Sequence, residues 1–135
     1  MNRTEDIRDL TDNIARCRGM MDPRLKSEWI AELRRSADKQ AHGVLCTKEG
    51  DRCALGVLFD LYPHKDMFDL QWNIAFNDLT DRAEEVLFIE GDQKELPPSV
   101  RKWSGLTESV IAEISDANDY LVSFEELADI LEKAL

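Results

Sequence analysis

Apolar residues recur at helical steps along most of the chain. Ile7, Leu10, Ile14 and Cys17 form one stripe, which predicts a helix over 4–17 with Thr4 as N-cap and Glu5 and Asp6 in its first turn. Gly19 stops it. Asp22-Pro23 predicts the start of a second helix, with Leu25, Trp29, Ile30 and Leu33 on its buried face and Arg34 and Arg35 near its C-terminal end. Val44-Leu45-Cys46 then reads as extended, and Lys48-Glu49-Gly50-Asp51 as a turn. Arg52 and Cys53 return antiparallel, which makes a small hairpin. Leu55, Leu58, Phe59 and Tyr62 predict a helix over 54–62, ended by Pro63.

In 64–84 the steps Met67, Leu70, Ile74, Phe76 and Leu79 predict a helix, with Trp72 on another face. Val86–Ile89 is rich in β-formers and predicts a strand beside the hairpin. Leu96-Pro97-Pro98-Ser99 introduces a short helix over 99–103, closed by Gly105. Thr107 caps the next helix, whose inward face is Val110, Ile111 and Ile114, and Asn118-Asp119 is expected to break it. Ser123 with Glu126 is a capping box. The last helix buries Phe124, Leu127, Ile130, Leu131 and Leu135.

These elements give an α+β class: a mostly helical single domain around a small antiparallel hairpin or three-stranded sheet of Val44–Cys46, the Arg52 arm and Val86–Ile89. The 135 residues suit one domain, and such a chain buries about two thirds of its unfolded surface without a metal or disulfide. There is no linker-like tract and no repeat. Residues 1–20 are expected at the periphery, and 64–84 as a variable insert.

Composition narrows the function classes. Apolar residues make up 43% and charged residues 33%, which is globular rather than disordered. No run approaches the ~18 apolar residues of a membrane span. The start of the chain is acidic within six residues and lacks an apolar signal-peptide core, so the expected compartment is the cytoplasm, where the three cysteines stay free thiols. Net charge is −11, and it is uneven: +1 over 1–50, −5 over 51–103 and −7 over 104–135. That field repels phosphate backbones, so direct nucleic-acid binding is not expected. It admits a protein partner with a basic surface. A plain solvated surface is the alternative reading.

With these elements placed, the chain resembles a widespread group of small phage and prophage proteins that generally carry no assigned activity. The pattern is Trp29-x3-Leu33-Arg34-x-Ser36, Gln40-x2-Gly43-x-Leu45 and Cys53-x-Leu55-Gly56-Val57-Leu58-x-Asp60. It resumes at Leu96-Pro97-x2-Val100-x2-Trp103-x-Gly105-Leu106, Asn118-Asp119 and Ser123-Phe124-x2-Leu127-Ala128-Asp129-x-Leu131. It covers about two thirds of the chain, from Trp29 onward. The family usually has cysteines where this chain has Ala54 and Phe59, which argues against an essential chemical role at either position. The resemblance implies a mixed fold and a phage-like origin, and it implies no reaction.

Cys53 is the best single candidate for chemistry, because a helix N-terminus lowers a thiol pKa and presents the sulfur for attack. Gln40 would supply an oxyanion donor, and His42 and His64 are the only imidazoles available as base. The papain-type signature is absent. The competing reading makes Cys53 a small packing residue between hairpin and helix. His42, Cys46, Cys53 and His64 lack the close ligand pairs of structural zinc sites, so no metal and no cofactor is expected. Trp29 and Trp103 read as core, while Trp72 reads as a partly exposed anchor. The function expected from these observations is that of a non-enzymatic phage or mobile-element accessory protein. It would bind a host or competing-element protein through Trp72 and an acidic face of Glu113, Asp116, Asp119, Glu125, Glu126, Asp129 and Glu132. An inhibitor of a nucleic-acid-dependent defence system is one concrete form. The alternatives are a Cys53-dependent hydrolase or transferase, and a small-ligand-binding protein with its pocket between the hairpin and the insert.

Overall fold

The computed structural model describes residues 2–135. The chain is an α+β domain whose helices enclose a core, with one β-ribbon laid on its side. Helix α1 spans Arg3–Cys17 and is capped by Asn2, two residues earlier than Thr4, because the Asn2 side chain accepts from the Thr4 N–H at 2.9 Å. Its seam is Leu10 and Ile14, both buried against α5 (Glu108–Tyr120) and α6 (Phe124–Ala134). Cys17, expected on that seam, is exposed at the last turn. The segment expected to be peripheral thus contributes a fully buried side chain, Ile14, to the main core.

Helix α2, Pro23–Arg35, has Asp22 as N-cap and proline in its first turn. It packs on α6 and on α3, Ala54–Asp60, whose residues 54–59 are all buried. The Trp29 indole is fully buried and donates its Nε1 hydrogen to the Ala54 carbonyl at 3.0 Å. Helix α4, Pro98–Ser104, ends at Gly105 with φ 75°, a left-handed C-cap. The predicted Ser123–Glu126 capping box opens α6.

The β region differs from the sequence expectation in two ways. Residues 64–84 do not form a helix. A 3-10 turn at Lys65–Met67 leads into strand β1, Leu70–Asn77, which pairs antiparallel with β2, Arg82–Ile89. Leu70, Trp72, Ile74 and Phe76 alternate strictly with Gln71, Asn73, Ala75 and Asn77, and that period of two decides for a strand. The three-stranded sheet is also replaced: β1 and β2 are the only ladder among the described residues, and from Val44–Cys46 only Cys46 enters an isolated bridge, with Arg52, while the next residue, Thr47, bridges to Val86. Thr47 donates to Asp51 at 2.8 Å, which closes the expected turn, while Leu87 donates to Cys46 and Lys48 to Glu85 along the outer edge of β2. The segment runs beside β2 but turns away after two such bonds.

Asn118-Asp119 does not end α5, which continues to Tyr120. Asn118 is buried, and its side chain serves as a connector rather than competing for its own backbone.

Candidate functional site

The junction of the hairpin with α3 holds the residues singled out for chemistry. Cys53 is the N-cap of α3, and its Sγ accepts from the Gly56 N–H at 3.4 Å. It is buried, and burial pushes the thiol up to about 11 despite that capping contact. Cys46 is pushed up to about 12, again mainly by burial. A thiol with a pKa near 11 is thiolate in about one molecule in 10⁴ at neutral pH, the opposite of an activated nucleophile. We therefore expect Cys17 to be alkylated first by iodoacetamide in the native protein. Cys46 and Cys53 should label at least about 100-fold more slowly until the protein is denatured. Rapid labelling of Cys53 at pH 6 would reinstate it as a nucleophile.

Gln40 is committed to the scaffold. Its Nε2 donates to the Val122 carbonyl at 3.0 Å and to Asn118 Oδ1 at 3.1 Å, and its Oε1 accepts from the Phe124 N–H at 3.1 Å. Both faces of the amide are used to close the α5–α6 turn, which leaves no donor aimed at a reacting atom. His42 is half-buried, and its carbonyl accepts from Asn77 Nδ2 at 2.8 Å. His64 is exposed, with its ring 5.8 Å from that of Tyr62. Among the described residues no group of three or more His, Cys, Asp or Glu side chains is arranged to hold a metal.

Asn118 is the residue the sequence reading missed. Its Nδ2 donates to the Ala41 carbonyl at 2.9 Å, and its Oδ1 accepts from the Ala54 N–H at 3.1 Å. Turning the amide round would set donor against donor, so its orientation is fixed. With Trp29 on the Ala54 carbonyl, the first residue of α3 is held on both its polar groups. An Asn-Asp pair in a helical pattern reads as a breaker, and only the buried partners show otherwise.

The acidic face divides in two. Three of its carboxylates are already paired by arginines. Arg3 meets Glu126 at 2.6 Å, and Arg34 spans Asp129 at 2.8 Å and Glu132 at 2.9 Å. The hydrogen bond from Arg3, joined by the Ser123 backbone N–H, holds the Glu126 carboxyl down at about 2. Asp119 is also engaged, accepting from the Gly43 N–H at 2.9 Å and from Asn118 Nδ2 at 3.0 Å. Glu125 is exposed on the outer face of α6.

Glu113 and Asp116 lie elsewhere, in a shallow groove of about 380 Å³ between α1 and α5. Asp6 and Asp9 come in from α1, Leu10, Ala117 and Leu121 form an apolar floor, and Tyr120 stands exposed at the edge. Among the described residues no Lys or Arg forms an ion pair with any of these four carboxylates. Asp6 and Asp9 fall one helical step apart on α1, and Glu113 and Asp116 likewise on α5, so each pair shares a face. The sequence shows each spacing but not that the two helices lie side by side.

Trp72 sits on β1 at 40% exposure, with Lys48 Nζ 4.7 Å from its ring centroid. It lines no part of the α1–α5 groove, so the expected anchor and the unpaired acid do not share a site. Among the described residues no helix is long and apolar enough to cross a membrane. No curated protein and no solved structure matches the chain. The model of one family, Domain of unknown function (DUF8296), matches residues 21–135, everything from the loop before α2 onward, and the chain belongs to that family.

Proposed function

We propose that the protein is a non-enzymatic accessory protein of phage or mobile-element type, which binds a basic surface on a host or competing-element protein. The observation that carries this reading is the α1–α5 groove. It sets four carboxylates without ion-pair partners around an apolar floor, with Tyr120 exposed at its edge. Amphipathic basic segments fit such a groove, with apolar side chains down and cations at the rim. Clustered unpaired charge of one sign also raises the encounter rate with a partner of the other sign. An inhibitor of a nucleic-acid-dependent defence system is one form of this activity, in which carboxylates occupy a surface built for phosphates. The face of α6 contributes less, because Arg3 and Arg34 already pair three of its four carboxylates. One wall of the groove, α1, lies outside the matched family residues, so recognition would rest partly on a helix that the family match does not cover.

The test uses a lysine-rich amphipathic peptide as probe and amide chemical shifts as readout. Shifts should centre on Asp6, Asp9, Glu113, Asp116 and Tyr120. The triple variant Asp9→Asn, Glu113→Gln, Asp116→Asn should weaken binding about tenfold, at roughly 0.5 kcal/mol for each exposed charge contact. The variant Glu125→Gln, Asp129→Asn, Glu132→Gln should weaken it much less. A partner retained from host lysate should be lost by the first variant and kept by the second. Equal weakening by both, or shifts centred on α6, would remove the groove from the argument.

A further inference from the structure

The outer edge of β1 is unused. On β2, the N–H groups of Leu87 and Ile89 and the carbonyl of Glu85 are bonded away from β1. The register pairs Asn73 with Val86 and Trp72 with Leu87. In an antiparallel ladder of this register, Gln71, Asn73, Ala75 and Asn77 are therefore the residues bonded to β2. Leu70, Trp72, Ile74 and Phe76 turn their N–H and C=O groups to the free edge. Among the described residues nothing pairs there. The same four residues place their side chains on one face, and Ile74 and Phe76 are 77% and 59% exposed. The strand holds no charge, no proline and no glycine from 70 to 77. Unpaired edges of this length are normally blunted by a charge, a proline or a bulge. Here none of these is present, although the chain carries a net charge of −11.

We propose that this edge pairs with the same edge of a second copy, joining two ribbons into one four-stranded antiparallel sheet. Three observations favour a second copy over a foreign strand. First, the edge is self-complementary. About a two-fold axis, Trp72 of one copy faces Ile74 of the other and Leu70 faces Phe76, so every edge N–H meets a carbonyl and the apolar side chains stay on one face. Second, the few charges on that face match. Glu85 is directly cross-strand from Ile74, and Lys48 lies over Trp72. The pairing brings Glu85 of one copy into the row of Trp72, and hence of Lys48, of the other. Third, the strand is neutral, so it offers a basic partner no attraction of the kind the α1–α5 groove does, while it allows two acidic molecules to meet at their uncharged strips. Pairing of this kind is strand addition, in which backbone bonds supply affinity and alternate side chains supply register.

Sedimentation at increasing protein concentration, with amide exchange measured in parallel, tests the pairing. The native protein should pass from monomer to dimer. The Trp72, Ile74 and Phe76 amides should gain protection as it does. Salt should strengthen the dimer, because it screens the repulsion of two acidic chains, whereas it should weaken peptide binding in the groove. Ile74→Lys, at a site too exposed to endanger folding, should raise the dissociation constant at least about tenfold. It would put a charge, the device that normally blunts an edge strand, in the middle of the apolar strip that must pair. Asn13→Lys, on α1, should leave the dimer unchanged. A protein that stays monomeric at millimolar concentration would overturn the proposal. So would a dimer that survives Ile74→Lys with fast-exchanging edge amides, or edge protection that arises only in a complex with a different protein.

Discussion

Asn118→Ala should cost the fold about 3 kcal/mol, read as a shift of the urea midpoint with an unchanged slope. The Asn118 side chain is the hydrogen-bond partner of two backbone groups in buried residues, the Ala41 carbonyl and the Ala54 N–H. Truncation leaves both without that partner in a site closed to water, at roughly 1–3 kcal/mol each. The alanine regains about 0.5 kcal/mol through its higher helix propensity, which offsets only a small part. The loss should also spread, because Gln40 shares Asn118 Oδ1 and ties the same point to Val122 and Phe124. Gln40→Ala and Asn118→Ala should therefore be non-additive, the double variant being less destabilised than the sum. Asn118→Asp should fare no better at neutral pH. It keeps an acceptor for Ala54 but loses both donations and sets a second carboxylate against Asp119. A loss below about 1 kcal/mol for Asn118→Ala would mean that water reaches the junction and replaces the amide.

The parts of the fold legible in the sequence are those whose signals are local. Asp22-Pro23, Ser123 with Glu126, and Gly105 mark helix ends because caps act within one turn, and the structure places helix ends at each. The 64–84 region misled for a physical reason. Leu70 and Ile74 are four apart, which suits a helix, yet four is also twice two, so the same pair suits a strand. Trp72 and Phe76 break the tie, since they fill the alternate positions between and after. The turn 78–81 lacks glycine, and Asp81 adopts φ 55° in its place, so the usual hairpin punctuation is missing. Asn118-Asp119 misled in the other direction. A buried tertiary partner overrides a local preference, and nothing within four residues of Asn118 announces Ala41 or Ala54.

The candidate surfaces were legible only as ingredients. The acidic C-terminal third is plain from the charge count. Which of its carboxylates remain unpaired depends on where Arg3 and Arg34 land, more than ninety positions away in sequence. The groove needs α1 beside α5, a packing that apolar seams permit but do not specify. Cys53 was placed correctly at the start of a helix. Its burial is what reverses the chemistry expected of that position, since desolvation outweighs the capping N–H.

Gly56→Ala should lower stability by about 2 kcal/mol, although the same exchange in an exposed helix would raise it by about 1 kcal/mol. Gly56 lies in α3, where that helix crosses the backbone of Leu45. A Cβ there would run into the Leu45 carbonyl oxygen, and would stand 3.0 Å from its carbon and 3.3 Å from Arg52 Cβ. Leu45 cannot give way. Its N–H donates to the Gln93 carbonyl at 2.9 Å, its carbonyl accepts from Cys53 at 3.0 Å, and its side chain is fully buried. The helix cannot give way either, because Trp29 and Asn118 hold Ala54 at its first turn. The strain must therefore be absorbed by breaking the Cys53–Leu45 bond or by lifting α3 from the core. Since backbone atoms are in the way, truncating the neighbouring side chain should bring no relief: Gly56→Ala with Leu45→Ala should be less stable than Gly56→Ala alone. A melting temperature lowered by roughly 5–10 °C is expected for the single variant of a domain this size. If Gly56→Ala melted at or above the native temperature, the close approach of α3 to Leu45 would not be a fixed feature of the fold, and the helix would have room to move at the junction that Asn118 and Trp29 otherwise pin.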